Sequence, residues 1–101
     1  MSGARTFCIE HDHPALPGHF PGRPIVPGVL LLEHVVAAIE EEDGPLECLR
    51  LSRVKFARPL LPGETARIEF EPVGEAGARR WRFRVVHAGG DVLASGDVAA
   101  T

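Results

Sequence analysis

Residues 29–43 read VLLLEHVVAAIEEED, and the organisation of the chain follows from how this stretch must be packed. No glycine or proline interrupts it before Gly44 and Pro45, so the spacing predicts a single helix over residues 29–42. As far as Ile39 only Glu33 and His34 break the apolar run. A surface helix shows one apolar stripe, whereas this one is apolar almost all round and has to be covered on most of its sides. The flanking sequence supplies the cover. Apolar residues alternate in a strand over 5–10 (Phe7, Ile9) and again at Leu49, Leu51, Val54 and Phe56, ahead of Pro59. The same period continues through Ala66, Ile68 and Phe70, then Trp81, Phe83 and Val85, and a last run from Val92 to Ala99. LPGE at 61–64, VGEAG at 73–77 and AGGD at 88–91 separate the last strands as turns. One strand, one helix and four more strands describe an α+β fold in which an antiparallel sheet rolls round a central helix.

Composition sets the outer bounds. A chain of 101 residues, 45% hydrophobic and 25% charged, is read as one globular domain over residues 1–101. So short a chain buries a modest share of its surface, which favours self-association. A formal charge of -3 lacks the basic footprint of a nucleic-acid binder. No run approaches the roughly 18 apolar residues that a membrane span needs, and the first residues lack the apolar segment of a secretory signal. Two cysteines, Cys8 and Cys48, are too few and too far apart for a disulfide framework or a paired-cysteine metal site, so a reducing cytoplasm is expected.

The stretch leading into the helix, HPALPGHFPGRPIVPG at 13–28, is rigid by composition. Prolines at 14, 17, 21, 24 and 27 each fix φ, while Gly18, Gly22 and Gly28 permit close backbone approach. Three candidates for chemistry lie in or beside it. His19, between Gly18 and Phe20, would be held in one place as a general base requires, or else is an ordinary exposed loop histidine. Glu33, a carboxylate in an apolar helix, can hold or deliver a proton. Alternatively it begins a solvated stripe that Glu40 continues two turns on. Gly28 sits at the first helical turn, where unpaired N–H groups and the positive dipole end can polarise a carbonyl oxygen, or it simply admits the helix.

Other features carry less. His11 and His13 form an H-x-H with no third ligand at suitable spacing, so no metal is expected. P-x-x-P recurs in the loop, but Leu16, Phe20, Ile25 and Val26 make it too apolar for a polyproline ligand. Arg80, Arg82 and Arg84 share one strand face, and ordinary pairing with Glu69 and Glu71 on the preceding strand accounts for them better than an acidic partner does. Lys55 and Arg58, near the sheet end, are the better candidates for docking a phosphate or acidic partner.

Taken together, GHFPGRPIVPGVLLLE at 18–33 resembles the signature of the FabZ-type β-hydroxyacyl-ACP dehydratases. KFARPLLPGE at 55–64 and VLASGDVA at 92–99 resemble that family's strand into its Pro-Gly turn and its last strand. The resemblance implies the hotdog fold and a homodimer or higher oligomer with sites at the subunit interface. By motif, His19 matches the catalytic histidine and Glu33 the catalytic acid of the opposite protomer. Gly28, with Val29, matches the backbone donors to the thioester carbonyl. The implied reaction dehydrates a 3-hydroxyacyl thioester on acyl carrier protein or coenzyme A, and needs neither metal nor organic cofactor. Phe20, Leu30 and Val36 are candidates for an acyl tunnel, although core packing explains Leu30 and Val36 equally well. Two departures bear on substrate. The family usually has an additional strand and helix ahead of this segment, and a glutamine where this chain has Ala37. Short relatives of this kind resemble the ApeI-like dehydratases, which process carrier-bound polyketide chains in aryl-polyene or xanthomonadin-type pigment synthesis. A hotdog thioesterase and a non-catalytic carrier-binding subunit are the alternative readings.

Overall fold

The computed structural model describes residues 3–10, 25–75 and 78–101. Its elements are β1 (Gly3–Cys8), α1 (Gly28–Asp43), β2 (Arg50–Phe56), β3 (Thr65–Pro72), β4 (Arg80–His87) and β5 (Val92–Ala99). The strands form one antiparallel sheet in the order β1-β3-β4-β5-β2 around α1, the one helix among the described residues, which is the hotdog arrangement that the resemblance implies. Among the described residues no helix is long and apolar enough to cross a membrane.

Local signals account for the helix limits. Pro27 holds φ at -58° in the extended position before the first turn, and Leu30 N–H donates to the Pro27 carbonyl. At the other end Gly44 takes φ 83°, which a side chain would resist, and its N–H bonds the Glu40 carbonyl. The Glu40 carboxylate accepts from Leu46 N–H, so this acid secures the helix exit, while Glu33 is exposed. Asp43 in the last turn accepts from Trp81 Nε1 at 2.9 Å, which ties the helix to β4.

Strand alternation puts Ala66, Ile68 and Phe70 of β3, and Trp81, Phe83 and Val85 of β4, against the helix. There they meet Leu30, Leu31, Val35, Ala38 and Ile39. A register shift between Val85 and Val86 buries Val86 as well. The expected strand over 5–10 begins earlier and ends at Cys8. Ile9 is nevertheless buried, and its carbonyl accepts from Gly63 N–H.

The apolar perimeter of the helix is not covered evenly within one chain. Its close contacts are to β1, β3 and β4, while Val29 is 60% exposed and Glu33 is exposed. His34, on the helix, stacks against Phe7 of β1 with ring centroids 4.3 Å apart. At the β2 edge the register shifts between Ser52 and Lys55, and Arg53 adopts the left-handed φ of 54°.

Candidate functional site

The N-terminus of α1 is braced against the sheet end. Val26 is buried and its N–H donates to the Leu60 carbonyl at 2.8 Å, while Ala57 N–H donates to the Leu93 carbonyl at 2.8 Å. The first bond holds the residues before the helix beside the segment that follows β2, and the second anchors that segment to β5. Gly28 then opens the helix, and the first-turn N–H groups of Gly28 and Val29 have no acceptor within it. Such donors, at the positive end of the helix dipole, suit an oxygen that gains negative charge. The Phe56 ring lies over Gly28: a β-carbon there would fall 2.7 Å from Phe56 Cζ and 2.8 Å from Cε1.

Glu33 lies four residues after Val29, on the same helix face, and both are exposed in the single chain. Leu30 is buried in the core with Leu31 and Val35, while Val36 and Ala37 are half-buried. His19 and Phe20, like His11 and His13, lie outside the described residues. The structure therefore brings Val29 and Glu33 to one face of the helix, at whose start Gly28 stands. It leaves the partnership of His19 with Glu33 as a reading of the motif.

Lys55 and Arg58 are both exposed but belong to separate grooves. Lys55 lines one of about 350 Å³ together with Arg53, Arg82, Arg84 and Ser95. Arg53 and Arg82 in that groove converge on the buried Asp97, at 2.9 and 3.6 Å. Arg84 pairs with Glu69 as its cross-strand position suggests, whereas Arg82, opposite Glu71, turns to β5 instead. Arg84 and then Arg67 hold the Glu69 carboxyl below its ordinary value.

Arg58 lines a second groove, of about 490 Å³, and pairs with Asp91 at 3.2 Å. Here His87 is more than the strand-end residue its position suggests. Gly89 N–H donates to its Nδ1, which assigns the ring proton to Nε2, and Nε2 donates to Glu64 at 3.0 Å. Glu64 also accepts from Leu61 N–H at 2.9 Å. That bond first, and His87 second, hold its carboxyl below the ordinary value of 4.5. With both ring nitrogens engaged, His87 acts as a latch between the β2–β3 and β4–β5 connections. No cluster of three metal-binding side chains occurs among the described residues.

The chain is similar in sequence and fold to known proteins. A curated relative from Rhodopseudomonas palustris (strain BisB18), the 3-hydroxyacyl-acyl-carrier-protein dehydratase FabZ, is 30% identical over 98% of this chain and 72% of its own length. The solved dehydratase heterocomplex ApeI:P from Xenorhabdus doucetiae superposes with a TM-score of 0.83 at 21% identity, over 97% of this chain and 85% of that one. An (R)-hydratase from A. caviae involved in PHA biosynthesis shares the fold at a TM-score of 0.69 and 17% identity, over 100% of this chain and 95% of that one. The protein is thus a hotdog-fold dehydratase, a hydro-lyase of acyl thioesters. Within that class it belongs to the ApeI-like family, whose ApeI dehydratase model matches residues 3–97.

Proposed function

We propose that the protein dehydrates a (3R)-3-hydroxyacyl thioester carried on acyl carrier protein to the trans-2-enoyl thioester, in fatty-acid or aryl-polyene-like polyketide synthesis. The observation that carries this is the placement of Val29 and Glu33 on one exposed face of the helix that Gly28 opens. His19 takes the C2 proton, and the electron pair left at C2 forms the new C2=C3 bond. Glu33 protonates the C3 hydroxyl, which departs as water. The N–H groups of Gly28 and Val29 bind the carbonyl oxygen as it gains enolate character. An open helix face around Glu33 supports a site completed by a second chain, with His19 supplied by one protomer of a homodimer and Glu33 by the other. Free, exposed Cys8 and Cys48 suit a reducing compartment such as the cytoplasm.

A second reading concerns only the partner. The similar Xenorhabdus structure is, by its name, a heterocomplex, so the chain that covers the Glu33 face can be a different dehydratase-like subunit. The test is enoyl-thioester formation, followed by ultraviolet absorbance, from 3-hydroxyacyl-ACP. His19→Ala and Glu33→Gln are each expected to lower kcat by about 10²–10⁴-fold, and unchanged rates refute the assignment. Release of free thiol without dehydration identifies a thioesterase instead. Light scattering of the active species separates homodimer from heterocomplex.

A further inference from the structure

We propose that Phe56 is a wall of the acyl-thioester site, its ring filling the space over Gly28 where a side chain would stand and pressing the thioester carbonyl toward the Gly28 and Val29 N–H groups. The proposal rests on the dehydratase reading above and gives a role in that site to a residue of the KFARPLLPGE motif that had none.

The argument begins with why position 28 is glycine. Backbone conformation does not demand it, because Gly28 is absent from the glycines with positive φ among the described residues and begins a regular helix. Alanine would suit such a position better than glycine. The obstacle is steric and has one source. All three nearest atoms to a β-carbon at 28 belong to the Phe56 ring, at 2.7, 2.8 and 3.3 Å.

The ring in turn has no packing reason to be where it is. It is 53% exposed, a poor use of an aromatic side chain in a core, although its neighbour across the ladder, Ala94, is fully buried. The Val26–Leu60 hydrogen bond nevertheless ties the segment after Phe56 to the residues before the helix, and the Ala57–Leu93 bond anchors that segment to β5. An apolar ring held over helix N–H donors, with Val29 also exposed beside them, makes an apolar rim around a polar spot. That is what a thioester presents: one carbonyl oxygen on an apolar chain. Water excluded by the ring strengthens the bonds to the developing oxyanion.

The experiment uses the assembled protein, with a (3R)-3-hydroxyacyl N-acetylcysteamine thioester for turnover and crotonyl N-acetylcysteamine for binding by calorimetry. In Gly28→Ala both N–H donors remain and the helix is favoured, but the new methyl displaces the half-exposed ring. The melting temperature should hold or rise while kcat/KM falls by about tenfold or more, mainly in kcat. Phe56→Ala should lose as much and weaken crotonyl thioester binding to match, and Phe56→Leu should recover part of both. The double variant should be no worse than Phe56→Ala alone, because the methyl then displaces nothing. Variants that bind the crotonyl thioester like wild type and turn over within about twofold of it overturn the proposal. So does a double variant whose loss is the product of the two single losses, or a wild type that does not bind the crotonyl thioester. A wild type that binds it but dehydrates nothing defeats the dehydratase reading alone, and the binding series still decides the role of Phe56.

Discussion

Gly96→Ala should damage the fold, although on paper it resembles Gly28→Ala. A β-carbon at 96 would lie 2.9 and 3.0 Å from the Phe83 ring and 3.1 Å from the Cα of Val54. Neither neighbour can retreat. Phe83 is fully buried between the sheet and the helix, and the Val54 atom is main chain of the adjoining β2. Overpacking of this kind costs about 1–3 kcal/mol. Reduced freedom of the unfolded chain returns about 0.4–1 kcal/mol. The balance is a loss of about 1–2 kcal/mol, which in a domain of this size lowers the melting temperature by roughly 4–16 °C. Circular dichroism melting at one fixed protein concentration measures it, since subunit association contributes to stability. Phe83→Leu in the Gly96→Ala background makes room for the methyl and should lose less than the two separate losses added together. A Gly96→Ala protein that melts at or above wild type refutes the reasoning.

Two further predictions concern carboxylates that accept hydrogen bonds. Asp43→Ala leaves Trp81 Nε1–H, on a side chain only 4% exposed, without its acceptor. A loss of about 1.5–3 kcal/mol is expected in urea unfolding followed by Trp81 fluorescence, with Asp43→Asn losing less because its amide oxygen still accepts. Glu64 is held below its ordinary value in the folded protein, so its contribution is complete above the unfolded value and is lost as pH falls through the folded one. Glu64→Gln should therefore lower stability near neutral pH and flatten the acid limb of a stability–pH profile below about pH 4.5; an unchanged acid limb counts against the Leu61 and His87 bonds as its origin.

Much of the architecture was legible because its signals are local. Pro27 and Gly44 bound the helix within a residue or so of the run that predicts it, since each acts through its own φ. β3 and β4 were legible as period-two alternation, because one face of each meets the core. β2 was less so. Leu49 lies outside the strand and is exposed, and the bulge at Arg53 breaks the period that Leu51, Val54 and Phe56 suggest. The arginine stripe was half legible: Glu69 faces Arg84 as cross-strand spacing implies, but Arg82 turns to Asp97 because β5 lies on the other side of β4. Strand order across a sheet leaves no mark on the period within a strand.

For this protein the sequence alone determined the helix, the strand count and the motif that carries His19, Gly28 and Glu33, all of which depend on neighbours a few residues apart. It left open what Glu40, two turns after Glu33, does at the helix exit and why position 28 is glycine. Tertiary structure decided the first through the bond from Leu46 N–H to Glu40, and the second through the Phe56 ring. Both answers are contacts made only once the chain has folded back on the helix, so no local spacing encodes them.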